Sequence, residues 1–108
     1  MQRFKFLGGD APRARALARS PLRPKFALGT VVVDPHGDIG AIDSIYADLR
    51  AVEDAGQIGN AAAWRRELEI RPKTPVTGIW YGLVYGHGAG VVGELDLRRA
   101  RAGAVSRP

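Results

Sequence analysis

The sequence predicts a mainly β fold: a small antiparallel barrel with a helical insertion between strands 2 and 3, and basic, flexible termini. Two observations lead to this fold class. Residues 26–45 and 77–97 alternate apolar residues with small or polar ones and contain glycine-rich turns, which is typical of strands and hairpins. Residues 47–71 change to apolar spacings of three and four, which is typical of helices. The length of 108 residues suits one domain with tails.

Charge divides the chain into three parts. Residues 1–25 form a basic arm with seven Arg or Lys and one Asp, and residues 98–108 form a basic tail with four Arg. The barrel, residues 26–97 with its insertion at about 47–71, has five basic and ten acidic residues, a net charge of −5. Since prolines interrupt the arm, we expect it to be flexible. We also expect a bound polyanion to meet the arms rather than the barrel.

The composition excludes several classes of protein. The chain has no cysteine, so disulfide scaffolds, thiolate zinc sites and cysteine nucleophiles are excluded. No apolar run approaches the roughly 18 residues of a membrane-spanning helix. The N-terminus lacks the uninterrupted apolar segment of a secretory signal. We therefore predict a cytoplasmic protein with no membrane partner.

The first two predicted strands flank a tight turn. The first strand covers residues 26–33, FALGTVVV, and the turn DPHGD at 34–38 places proline, aspartate and glycine as a β-turn requires. The second strand covers residues 39–45. Because Gly40 lies inside it, we expect a bulge or bend there that curls the sheet into a barrel.

The insertion at 47–71 is predicted to contain helix on both sides of the weak formers Gly56 and Gly59. Asn60 is a suitable N-cap for the strong helix formers that follow it. The interpretation we favour for Trp64 is a packing anchor between helix and barrel, and ligand stacking is the alternative. Pro72 and Pro75 end the insertion.

Residues 77–97 are predicted to form the central hairpin of the barrel. The alternating segment IWYGLVY at 79–85 is a strand, and GHGAG at 86–90 is its tight turn. A phosphate-binding loop is the weaker interpretation, because the P-loop Lys-Ser/Thr and a following helix are missing. The closing strand covers residues 91–97, where Glu94 and Asp96 share one side. They form either a solvated face or a pair for arginines.

Candidate catalytic chemistry is sparse. His36 and His87 lie in glycine-flanked turns. They could ligate a metal ion together with nearby carboxylates, and one alternative is therefore a small metal-dependent enzyme. The carboxylates in question are Asp34, Asp38, Glu94 and Asp96. The spacing of these residues matches no metal motif. Ser44 lies in a predicted strand, without a nucleophile elbow. We therefore predict that the protein is not an enzyme and holds no metal or cofactor.

The segments KFALGTVVV, GDIGAIDSIY, PVTGIWYGLV and VVGELDL, in that order around the insertion, resemble an SH3-like small barrel. More narrowly, they resemble the hemimethylated-DNA-binding, heat-shock-protein-Q-like family, with similarity also to the barrel of the nitrile hydratase β subunit. A dozen residues, VVVDPHGDIGAI, resemble the transcription-factor module that grips RNA polymerase. The residues that carry the family resemblance are Gly40, Ile42, Trp64, Pro75, Trp80, Tyr81, Val92, Glu94 and Leu97. These resemblances imply a non-catalytic use of the barrel.

We therefore expect a non-catalytic interaction module or accessory subunit that docks on a larger protein or complex. Trp80 or Tyr85, whichever faces outward, would be the aromatic contact. Charge pairing would come from four arginines of the arm: Arg13, Arg15, Arg19 and Arg23. The alternative is a nucleic-acid-binding module that uses the arginine-rich termini, with an affinity that falls steeply with salt.

Overall fold

The computed structural model describes residues 23–101. Five antiparallel strands form one sheet in the order β4-β3-β2-β1-β5. Two short helices lie between β2 and β3, and a single 3₁₀ turn, Glu94–Asp96, lies between β4 and β5. The predicted mainly β fold with a helical insertion between strands 2 and 3 is confirmed. The bounds are β1 Val31–Val33, β2 Ile39–Tyr46, α1 Leu49–Asp54, α2 Ala61–Glu67, β3 Trp80–Tyr85, β4 Gly88–Gly93 and β5 Arg98–Arg99.

The first strand is shorter than predicted. Gly29 has a positive φ of 84°, and the Thr30 N–H donates to the Ala27 carbonyl at 3.1 Å, so the chain turns before it enters β1. Phe26 is therefore outside the strand. It is still a core residue, because its ring meets the Tyr81 ring edge-on at 5.7 Å.

The second and third strands pair with one irregularity. The register shifts between Ile42 and Ser44, so the bulge lies there and the prediction of a bulge at Gly40 is wrong. Gly40 has another use. A Cβ at this position would lie 3.0 Å from the Tyr85 ring, so the missing side chain lets that ring pack against β2.

The central hairpin forms with a shorter turn than predicted, and the closing strand ends earlier. β3 and β4 pair from Trp80↔Gly93 to Tyr85↔Gly88 around the two-residue turn Gly86-His87, so the prediction of a turn over 86–90 is wrong for residues 88–90, which belong to β4. The chain leaves β4 at Gly93, so the prediction of one strand over 91–97 is wrong. Arg98 and Arg99, assigned by sequence to the tail, belong to the sheet, where they pair with Val33 and Val32.

The two faces of β3 pack against different partners. One face joins the main core, and the other lies under the insertion, where Tyr46, Leu49, Val52 and Trp80 are buried together. The main core consists of Phe26, Val32, Ile42, Ile79, Tyr81, Leu83 and Leu97. Tyr81 and Leu83 therefore belong to the main core and Trp80 to the cluster on the opposite face, as the alternation of a strand requires.

Side-chain caps begin both helices of the insertion. The Asp48 carboxylate accepts from Ala51 N–H at 2.8 Å at the start of α1, and Asn60 accepts from Ala63 N–H at 2.9 Å at the start of α2, as predicted. The Trp64 ring meets the Trp80 ring edge-on at 5.8 Å, which confirms that Trp64 packs the helix against the sheet. Within residues 23–101, no helix is long and apolar enough to cross a membrane.

Candidate functional site

The two aromatic residues predicted as partner contacts have different environments. Trp80 is 1% exposed, and its indole N–H donates to the Pro75 carbonyl at 3.0 Å. The insertion covers this face of β3, so the expectation that Trp80 could face outward is corrected. Tyr85 is half-buried, and its ring stacks on His87 with 5.1 Å between centroids. Its contact with a partner stays a prediction.

Tyr85 ties the β3–β4 hairpin to the β1–β2 turn. Its hydroxyl donates to Asp34 Oδ2 at 2.7 Å, while Asp34 Oδ1 accepts from the N–H groups of His36 and Asp38, each at 2.9 Å. Burial raises the pKa of Tyr85 well above its ordinary value, and the bond to the Asp34 carboxylate raises it further. The phenol is therefore a neutral donor that fixes the turn.

The two histidines do not assemble a metal centre with their neighbours. His36 Nδ1 lies 3.9 Å from Glu69 Oε1, and the His87 ring is stacked on Tyr85. Among the described residues, no group of three or more His, Cys, Asp or Glu is placed to hold a metal ion. The metal-site alternative therefore has no ligand set in this part of the chain.

Asp96 organises the loop that follows the insertion. Its carboxylate accepts from Lys73 N–H at 2.8 Å, from Thr74 N–H at 3.1 Å and from the Thr74 hydroxyl at 2.7 Å. The buried Thr74 hydroxyl in turn accepts from Leu95 N–H at 2.9 Å. Asp96 is therefore a capping residue of the loop. It is not on a solvated strand face, which is one of the two interpretations of the sequence.

Glu94 is also used internally. Its carboxylate Oε2 accepts from the Tyr81 hydroxyl and from Lys25 N–H, both at 2.7 Å. Burial, followed by this hydrogen bond, raises the pKa of Tyr81. Since neither carboxylate side chain projects from a strand, the pair Glu94 and Asp96 is not displayed for arginines of a partner. The 3₁₀ turn, which the sequence pattern did not indicate, redirects both side chains.

The first distinctive surface is a cluster of positive charge at the edge of the sheet that β5 forms. We call it the cationic edge, and all five of its Lys and Arg side chains are exposed. Lys25 Nζ and the Arg99 guanidinium lie over the Phe26 ring, 5.5 and 5.6 Å from its centroid. Between Arg23 and Arg101, no carboxylate forms an ion pair with any of the five. The cationic edge consists of Arg23, Lys25, Arg98, Arg99 and Arg101.

Four arginines are predicted from the sequence to pair with a partner's charges, and only one of them lies in the part of the chain that the structure describes. Arg23 lies on the cationic edge, while Arg13, Arg15 and Arg19 lie outside the described residues. The described chain begins at Arg23 and ends at Arg101, so residues 1–22 and 102–108 are both attached to this edge. Residues 1–22 carry five Arg or Lys and one Asp.

A groove beside β4 is the second distinct surface. It has a volume of about 90 Å³ and lies between β4, the β1–β2 turn and residues 68–72. Its charged lining residues are the carboxylates Asp34, Glu69 and Asp96, with neither Lys nor Arg. Sequence reasoning missed it because five separate segments of the chain contribute to its lining. The apolar residues of this β4 groove are Pro35, Leu68, Ile70, Pro72, Val91 and Val92, together with Trp80.

Comparison with known proteins finds no relative of this chain. The chain matches no family model, and neither curated proteins nor solved structures give a significant match. The resemblance to SH3-like barrels therefore rests on the sequence segments alone, and a function has to be argued from the two surfaces.

Proposed function

We propose that this chain is a non-catalytic interaction module that docks on an acidic surface of a larger protein through its cationic edge. The supporting observation is the set of five exposed cations without ion pairs in the part of the chain that is described. Like charges held close together repel one another, and an anionic partner surface relieves that repulsion. Three of the five are arginines in or next to β5, and arginine pairs well with carboxylates because its planar group can bind both oxygens.

Position on the fold also favours this edge. β5 is an outer strand of the sheet, and its two residues hold their side chains on a backbone paired with β1. The arms of residues 1–22 and 102–108 both leave from here and add five further positive charges net. Residues 26–97 have a net charge of −5, so the excess positive charge of the chain is concentrated in this edge and in the arms attached to it. An acidic partner is therefore attracted to the edge and its arms.

The test compares two charge reversals of equal size in the full chain. One variant carries Arg98→Glu and Arg99→Glu on the cationic edge. The matched control carries Arg50→Glu and Arg66→Glu, two exposed arginines of the insertion. Binding to labelled poly-L-glutamate, followed by fluorescence anisotropy, should weaken at least about tenfold in the first variant and far less in the control. Equal losses in both variants would mean that only net charge matters and would refute the proposed surface.

Nucleic acid is the second candidate ligand, and the convergence of both basic arms on one edge supports it. Phe26, the aromatic residue of this edge, is buried, so the edge offers cations for phosphates and no exposed ring for base stacking. This candidate predicts binding without sequence preference that falls steeply as NaCl rises from about 50 to 200 mM. A duplex of about 20 base pairs competing with poly-L-glutamate for the same chain measures which polyanion it prefers. Stronger competition by the duplex would favour the nucleic-acid candidate.

A further inference from the structure

The edge opposite the cationic edge leaves a strand without a second neighbour. β4 pairs with β3 on one side only, and the sheet ends there in the described part of the chain. Edge strands expose backbone N–H and C=O groups that can pair with another strand. β4, with the sequence GAGVVG, has no charged or proline residue that would discourage such pairing.

The register identifies which backbone groups face outward. Glu94 N–H donates to the Ile79 carbonyl at 2.9 Å, which continues the β3–β4 pairing by one step. In an antiparallel pair, hydrogen-bonded and non-hydrogen-bonded residue pairs alternate. Val92, Gly90 and Gly88 therefore bond to β3, whereas the N–H and C=O groups of Ala89, Val91 and Gly93 point away from it.

The outward edge is covered at one end and open at the other. Gly93 is buried, and Thr74 lies over it so closely that an added methyl group would overlap the Thr74 Cβ and Oγ1 atoms. At Ala89 and Val91, no hydrogen bond within residues 23–101 uses the outward N–H and C=O groups. The open part of the edge is thus one short stretch, long enough for two residues to pair with a neighbour.

The β4 groove adjoins this open stretch and defines what fits beside it. Val91 both presents its backbone outward and lines the groove. A volume of about 90 Å³ is smaller than the cavity of about 150 Å³ known to hold benzene, so it suits a single aliphatic side chain. The lining contains three carboxylates, Asp34, Glu69 and Asp96, and one histidine, His36. Asp34 and Asp96 accept hydrogen bonds within the fold, so the Glu69 side chain, which is 85% exposed, is the carboxylate that a partner's cation can reach.

We propose that β4 accepts an extended peptide of a partner protein as a sixth strand, with one aliphatic side chain in the β4 groove and arginine or lysine on either side of it. Backbone pairing with Ala89 and Val91 supplies the register. The groove selects the aliphatic residue, and the acidic lining selects the neighbouring cations by charge complementarity. This proposal does not rest on the cationic edge, which lies at the other end of the sheet.

The probe is a labelled synthetic heptapeptide, acetyl-Thr-Arg-Val-Leu-Val-Arg-Thr-amide, titrated with the full chain. In an extended peptide, its leucine and both arginines point to the same side. Two N-methylated forms provide the decisive control: one is methylated at the two valines, the other at leucine and both arginines. Only one set of N–H groups can face β4, so one form should bind about tenfold more weakly and the other like the parent. Equal binding of all three peptides would overturn strand addition.

Variants of the protein locate the site. Ala89→Pro removes an outward N–H that β3 does not use, and proline is tolerated there on an edge strand. Ile70→Ser reduces the apolar lining, and Leu28→Ser is its control, since Leu28 is another exposed apolar residue, at 60% exposure, outside the groove. We expect about tenfold weaker binding for Ala89→Pro and for Ile70→Ser, and no change for Leu28→Ser. Circular dichroism establishes that each variant is folded, and unchanged binding by folded Ile70→Ser would overturn the groove assignment.

Two other occupants would overturn the proposal if found. If a second copy pairs at β4, sedimentation will show a dimer that Ala89→Pro dissociates. If the chain's own arm occupies the groove, replacing Arg13, Arg15 and Arg19 by serine in the full chain will raise the affinity for the probe about tenfold. A monomer whose probe affinity is unchanged by the arm substitutions supports the partner peptide. Arg98→Glu at the opposite edge should not weaken probe binding, which separates this result from failure of the proposed function.

Discussion

The two edges of the sheet differ in how well their exposed backbone groups are protected from pairing with another chain. β5 is two residues long, and both are arginines, whereas β4 is six residues long and consists of glycine, alanine and valine. Short length and charge both discourage pairing with another chain. The sequence of β5 thus protects that edge. At the β4 edge, within residues 23–101, a loop gives protection at one end.

The covered end of β4 depends on tertiary contacts from distant segments. Thr74 lies over Gly93, and the Thr74 N–H and hydroxyl are held by Asp96. The open end, at Ala89 and Val91, has no such cover among the described residues. Substitutions that disturb the cover, the turn beside it or the opposite edge therefore test the comparison at different strengths.

The largest expected effect is at the covered end. Gly93→Ala places a methyl group where Thr74 lies, and the buried Thr74 has little room to move because Asp96 holds it. We expect the free energy of unfolding to fall by about 2–3 kcal/mol, as overpacking typically costs. Urea denaturation measures this change. The matched control is Gly59→Ala, where nothing lies within 4 Å of the added methyl group, and its change should stay below about 1 kcal/mol.

The next effect concerns the residue that holds the cover. Asp96→Asn keeps the shape of the side chain and removes the charge that accepts from Lys73 N–H, Thr74 N–H and the Thr74 hydroxyl. We expect a loss of about 2 kcal/mol in the free energy of unfolding. Asp43→Asn, at an exposed residue, is the control and should be nearly neutral. Amide hydrogen exchange should be faster at Thr74 in the first variant, and protection equal to that of the parent would contradict the assigned role.

A smaller effect is expected at the turn beside the groove. Tyr85→Phe removes the hydroxyl that donates to Asp34, so we expect a loss of about 1 kcal/mol at neutral pH, read from thermal unfolding. The control is Ser44→Ala, because the Ser44 hydroxyl donates to the Tyr46 hydroxyl at the longer distance of 3.2 Å. A loss at Tyr85 no larger than at Ser44 would show that the turn does not depend on this bond.

Tyr85, together with Tyr81, makes the free energy of unfolding depend on pH. The pKa values of Tyr81 and Tyr85 are raised in the fold above the ordinary 10.0, mainly by burial. The unfolded chain therefore loses these protons first, so the stabilisation is complete below about pH 10 and is lost as the pH rises above it. Urea denaturation at pH 9 and pH 11 should show this fall in the parent chain. The fall should be smaller in Tyr85→Phe, and an equal fall would contradict the contribution of Tyr85.

The smallest effect is expected at the β5 edge. Arg98→Ala removes an exposed charge that has no ion pair among the described residues, so the free energy of unfolding should change by less than about 0.5 kcal/mol. Differential scanning calorimetry at low and high salt checks this. A large destabilisation would mean that the cationic edge is part of the folding core and not a surface kept for a partner.

Local patterns predicted much of this fold. Alternation of apolar residues predicted β2 and β3, the turn chemistry at DPHGD predicted the first tight turn, and Asn60 predicted the start of α2. The glycines of 86–90 predicted that a turn follows β3, although the turn itself is only Gly86-His87. These features depend on neighbours a few residues apart, so a single sequence contains the information. The end of β4 at Gly93 could not be predicted in this way, because it depends on Thr74 and Lys73, about 20 residues away in the chain.

By itself, the sequence determined the fold class, the central hairpin and the separation of a basic arm and tail from an acidic middle. Only the tertiary structure decided that Trp80 is buried, that Arg98 and Arg99 form an edge with Lys25 and Arg23, and that Ala89 and Val91 remain open beside a groove. The physical reason is that a strand pattern gives two faces without saying which one the insertion covers. Exposure and charge clustering are properties of segments brought together from distant parts of the chain.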